Sequence, residues 1–83
     1  MSLSVRRFPP HLGGGFYIFH DLAPGFGLQS NYEVENQIKE VLIRRDPALL
    51  SRLTFDTERD TFSCSGSEED LIDLLELIMS LHP

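Results

Sequence analysis

The residues able to do chemistry are few and scattered along the chain. The single cysteine, Cys64, stands in the run Thr61-Phe62-Ser63-Cys64-Ser65. A thiol nucleophile needs a base beside it. Cys64 instead alternates in phase with Phe62 and Phe55, which predicts a buried core cysteine. His11, His20 and His82 fall in a loop, a strand and the C-terminal end, with no HxH, HxxxH or HExxH spacing, so zinc is not expected. His20-Asp21 makes a general-base pair only if both residues line one cleft. At a strand end, solvated side chains are the expectation. Gly13-Gly14-Gly15 offers backbone N–H groups to a phosphate, but such sites need a helix start just behind the glycines. A strand signal follows here. No catalytic set and no cofactor are expected.

The carboxylates are the remaining candidates. Asp56, Glu58 and Asp60 alternate as in a calcium loop, yet lack its central glycine and closing bidentate glutamate. They read as a solvated hairpin turn. Glu69, Asp73 and Glu76 recur at helical spacing, opposite an apolar stripe. These six acids are the candidate partner-binding residues. The formal net charge is −6 over 83 residues. Of 13 acids, only Asp21 lies among the first thirty residues, where it meets Arg6 and Arg7. The rest of the chain sets its acids against Lys39, Arg44, Arg45, Arg52 and Arg59. Such a surface repels phosphate backbones and is steered toward basic ones, so a protein partner is expected rather than nucleic acid.

Composition sets further bounds. At 41% hydrophobic and 24% charged residues, the chain supports a thin but real core in one domain, residues 1–83. One cysteine permits no internal disulfide and no cysteine metal cage, which fits a reducing compartment. No apolar run approaches the roughly 20 residues of a membrane span. Arg6 and Arg7 lead into Pro9-Pro10-His11 rather than an apolar signal segment. A cytoplasmic protein without a membrane partner is the expectation. Met1-Ser2-Leu3 reads as a vector-derived scar.

Local signals place the elements. Leu3–Phe8 predicts a short strand, and Pro9-Pro10 with Gly13–Gly15 a connection. Phe16–His20 is aromatic and β-branched between turn residues, the strongest strand signal. Phe16, Ile18 and His20 share one face, Tyr17 and Phe19 the other; two apolar faces predict a central or covered strand. Residues 21–29 read as an ordered loop, with Leu22, Phe26 and Leu28 turned toward the core. Ser30 and Glu33 form a capping box for a helix to about Arg45, with Val34, Ile38, Val41 and Leu42 on one face. Asp46-Pro47 restarts a short helix that turns Leu49 and Leu50 inward.

A hairpin follows, with Leu53, Phe55, Phe62 and Cys64 on its buried face. Gly66 ends it, and Ser67 with Asp70 caps a last helix. Leu71, Leu74, Leu75, Ile78 and Leu81 form that helix's inner stripe, widened by Ile72, Leu77 and Met79. The order β-β-α-(short α)-β-β-α predicts an α+β fold. A small, predominantly antiparallel sheet of about four strands would carry two main helices on one face.

Asn31-Tyr32-Glu33-Val34, Asp46-Pro47-Ala48-Leu49-Leu50, and the stretch from Leu53 to Cys64 with its closing acidic-leucine helix carry a resemblance. Over residues 31–81 the chain resembles the Imm51-type bacterial immunity proteins of polymorphic toxin systems. Phe55, Asp56, Glu58 and Phe62 match that family's Phe-Asp-x-Glu-x-x-x-Phe pattern, while Val34 stands where the family has Trp. The resemblance implies a cytoplasmic protein that binds and blocks a toxin's effector domain. With it, the functional expectation is a non-catalytic protein-binding domain that meets a basic toxin domain through Asp56, Glu58, Asp60, Glu69, Asp73 and Glu76. The alternative is a self-associating structural or regulatory subunit, a homodimer, favoured by a thin core and an open sheet edge. An enzyme using His20, Asp21 or Cys64 ranks last.

Overall fold

The computed structural model describes residues 3–82, so Met1 and Ser2 of the scar reading lie outside it. Phe16–His20 forms β2, the middle of the first three strands. Arg6–Arg7 (β1) pairs on one side of it and Phe62–Gly66 (β4) on the other, both antiparallel. Thr54–Phe55 (β3) pairs with the far side of β4, giving the order β1-β2-β4-β3. The ladder sets Ile18 opposite Cys64 and His20 opposite Phe62. Ile18, Phe62 and Cys64 are therefore on one face, and all three are fully buried.

That face receives both long helices. Asn31–Arg45 (α2) brings Val34, Ile38 and Leu42, and Glu68–Leu81 (α4) brings Leu71, Leu74 and Ile78. Pro47–Arg52 (α3) adds Leu49 at its end. This is the α+β arrangement that the periodicities predict. The apolar stripe of α4 is narrower than its sequence suggests: Ile72 and Met79 are 43% and 62% exposed. The core is complete without them, because a single sheet face offers only a limited width to cover.

Capping is half as expected. Asp46 Oδ1 accepts from Leu49 N–H at 3.1 Å, and Ser67 Oγ from Asp70 N–H at 3.1 Å. Asp70 does not reach back to complete its box. Its carboxylate takes Arg52 Nε and Nη2 in a forked pair at 3.1–3.2 Å, which ties α3 to the start of α4. Arg52 in turn holds the Asp70 carboxyl below its ordinary range. Ser30 occupies the N-cap of α2 but makes no side-chain cap bond. The first helical N–H, that of Asn31, is taken instead by the Arg59 carbonyl of the β3–β4 turn at 3.0 Å.

Residues 21–29 are also more ordered than a loop. Ala23–Phe26 makes one helical turn, α1, closed by Gly27 at φ 69°. Pro24 presets the helical φ, and the left-handed glycine returns its N–H to the carbonyls of Ala23 and Pro24. The first N–H groups of this turn find their acceptor outside it. Asn31 Oδ1 accepts from Leu22 N–H at 2.8 Å and from Ala23 N–H at 3.1 Å. Its Nδ2 donates to Asp21 Oδ1 at 2.9 Å and to the Arg59 carbonyl at 3.0 Å.

Replacing Asn31 with Ala strands two buried N–H donors, so urea denaturation is expected to show a loss of about 2–4 kcal/mol. Asn31→Asp keeps the acceptor but sets a carboxylate against Asp21 and the Arg59 carbonyl. It is expected to be destabilised at neutral pH and to regain stability as the pH falls toward carboxyl protonation.

Candidate protein-binding surface

Among the described residues, no helix lies on the second face of the sheet. Alternation along each strand places Arg6, Tyr17, Phe19, Ser63, Ser65, Thr54 and Asp56 there. Phe19 is 54% exposed in the interior of the sheet. Phe8, just past β1, lays its ring on Tyr17 with centroids 4.4 Å apart and planes tilted by 34°. Arg6, Phe8, Tyr17, Phe19, Asp56 and Ser63 line a shallow hollow of about 430 Å³. Aromatic residues and arginine are the types enriched at protein-contact surfaces. The sequence signal was present in the two apolar faces of Phe16–His20. The strand is central, as expected, but its second face is left uncovered.

A second hollow, of about 510 Å³, lies beside the edge strand β3, between Lys39, Ile43, Leu50, Leu53, Thr54 and Phe55. Lys39 holds its ammonium 4.8 Å from the Phe55 ring centroid and pairs with Glu35 at 3.1 Å. Lys39 thus reaches from α2 to set a charge beside the two-residue edge strand, where a charge disfavours pairing with another chain.

The six acids expected to bind a partner fall into separate groups. Asp56, Glu58 and Asp60 are exposed in and beside the β3–β4 turn, where Glu58 and Thr61 close the hairpin. Only Asp56 reaches the hollow of the aromatic face. Glu69, Asp73 and Glu76 are exposed along α4, on the helical side of the sheet. The start of α4 lies beyond the far end of β4 from the hairpin turn, about 17 Å away for five strand residues. Among the described residues the ion pairs use Glu35 and Asp70, and none of these six.

The residues with chemical potential are dispersed or engaged. Asp21 binds Asn31 rather than turning a base toward His20. His11 is exposed, and His82 meets the edge of Phe26 at 5.6 Å. Gly13, Gly14 and Gly15 all have positive φ, and a side chain there would meet nothing within 4 Å. They form an open connection between β1 and β2 rather than a cradle at a helix start. Among the described residues, no three of His, Cys, Asp and Glu gather as for a metal ion.

Cys64 lies fully buried between the sheet and the helices. Burial, helped by Glu35 and opposed by Lys39, pushes its thiol from 9.0 up to about 12. A disulfide reagent at pH 8 is expected to leave native Cys64 unmodified and to titrate one thiol after denaturation. Above pH 9 the unfolded chain releases this proton while the folded chain keeps it. Stability should therefore fall as pH rises, by up to about 1.4 kcal/mol per pH unit from this group. Cys64→Ala is expected to flatten that slope in urea denaturation between pH 9 and 11. No protein-family model, no curated protein and no solved structure matches the chain.

Proposed function

We propose that this chain is a non-catalytic protein-binding domain whose principal contact surface is the open face of its sheet. The observation that carries the proposal is Phe19. A large aromatic ring stands half-exposed at the centre of the sheet, beside the Phe8–Tyr17 stack, with no element of its own chain over it. Such an anchor gives binding energy when a partner excludes water around it. The buried thiol, the engaged Asp21 and the separated histidines support binding over catalysis.

The resemblance to immunity proteins names one class of partner, a basic toxin domain held in the cytoplasm and blocked by occlusion. Supporting that reading, Asp56, Glu58, Asp60, Glu69, Asp73 and Glu76 are free of ion pairs within the described residues. Their field would speed association with a basic surface. The second reading, a self-associating subunit, is favoured by the presence of both signs of charge on the aromatic face, at Arg6 and Asp56.

Affinity capture from lysate and culture supernatant separates the surfaces when three baits are compared. Phe19→Ser is expected to weaken retention of a specific partner at least tenfold, about 1.4 kcal/mol, with the fold unchanged. Reversing Glu69, Asp73 and Glu76 to Lys should slow association and abolish its salt dependence if the partner is basic. Equal retention by wild type and Phe19→Ser would remove the sheet face from the function.

A further inference from the structure

Across its four strands the outer face is ordered by both size and charge. Arg6 lies on β1, Tyr17 and Phe19 on β2, Ser63 and Ser65 on β4, and Thr54 on β3 with Asp56 just beyond it. A cation marks one edge and a carboxylate the other. Between them a strand of bulky rings lies beside a strand of small hydroxyl residues. A two-fold axis lying in this face, along the strands and between β2 and β4, exchanges β1 with β3 and β2 with β4. The register sets Phe19 opposite Ser63 and Tyr17 opposite Ser65. A copy turned over about that axis therefore brings each aromatic ring over a serine of the other copy. Arg6 comes to stand over Thr54 of the other copy. From there Asp56 is one alternate position along the strand, about 7 Å away and within an arginine's reach. The face is complementary to itself in shape and in charge, which is the condition for an isologous contact.

The geometry points to a second copy of this chain as the occupant of the outer face. Two sheets meet face to face about a two-fold axis, Phe19 and Tyr17 of each copy lie on β4 of the other, and Arg6 of each pairs with Asp56 of the other. This inference rests on reading the outer face as the binding surface, and it names that surface's partner. A foreign basic protein suits the face less well, because Arg6 repels it and only one of the six candidate acids is there. In the dimer the helices lie outermost, so Glu69, Asp73 and Glu76 stay open to solvent on both sides.

Sedimentation equilibrium of the full chain tests the pairing. Wild type is expected to dimerise, and Phe19→Ser, Arg6→Asp and Asp56→Arg are each expected to weaken the dimer at least tenfold. All three positions lie outside the core, so circular dichroism should match wild type. An equimolar mixture of Arg6→Asp and Asp56→Arg is expected to recover the dimer, because every cross-copy contact then joins opposite charges. A mixture that stays monomeric overturns the Arg6–Asp56 pairing. A wild type that is monomeric at every concentration overturns the second copy as occupant. The outer-face reading then still stands if Phe19→Ser loses a captured partner, and falls with it if capture is unchanged. A dimer indifferent to all three substitutions overturns the proposal and puts the interface elsewhere.

Discussion

One side-chain amide holds the molecule's non-local geometry. Asn31 is the sole fully buried polar side chain among the described residues, and its amide bonds tie the start of α2 to two segments distant in sequence, residues 21–23 and Arg59. Its oxygen gathers the first N–H groups of the α1 turn, and its nitrogen meets Asp21 and the β3–β4 turn. Its own backbone N–H opens α2 on the same Arg59 carbonyl. A polar group in a low-dielectric interior is costly unless every bond is made. No side-chain nitrogen or oxygen buried among the described residues is left without a partner. The amide therefore selects one arrangement: the end of β2, the start of α2 and the hairpin turn must converge on it together.

With those three points joined, the sheet can be covered on one side only. The helices following Asn31 and Ser67 cross the face bearing Ile18, Phe62 and Cys64, and among the described residues no helix crosses the other. The forked Arg52–Asp70 pair and the cap at Ser67 fix the opposite end of the helical layer. The exposed aromatic face is thus a product of topology as much as of local sequence.

Much of this was legible in the residues. The 3.6-residue stripes of Val34, Ile38 and Leu42 and of Leu71, Leu74 and Ile78 marked the helices, and alternation marked β2 and β4. Cys64 was placed in the core by its phase with Phe62. Three features were not legible, and all depend on partners remote in sequence. The α1 turn is stabilised by an acceptor on Asn31. The start of α2 is bound to Arg59 rather than to the adjacent Ser30 and Glu33. The strand order sets β2 against β4 across α1, α2, α3 and β3. The exposure of the six acids followed from their spacing, but that only Asp56 among them reaches the aromatic face followed from that strand order. Tyr17 and Phe19 were visible as a second apolar face. Whether anything covered that face was a question of topology, which alternation alone does not answer.

The strand order also bears on how the chain reaches this state. The central ladder joins Phe16 to Gly66 and His20 to Phe62, so its halves belong to opposite ends of the chain. Contacts so far apart form late and slow folding, because a long loop must close before they add stability. During synthesis β2 emerges before β4, with α1, α2, α3 and β3 made between them. Until then a strand with two apolar faces has a free edge, the form of intermediate most prone to aggregate. Among the described strands, the short, arginine-bearing β1 is the one that pairs with β2 and is made before β4, so it shields β2 in that interval. The same two arginines that mark the sheet's outer edge thus act first as a temporary guard on a nascent chain.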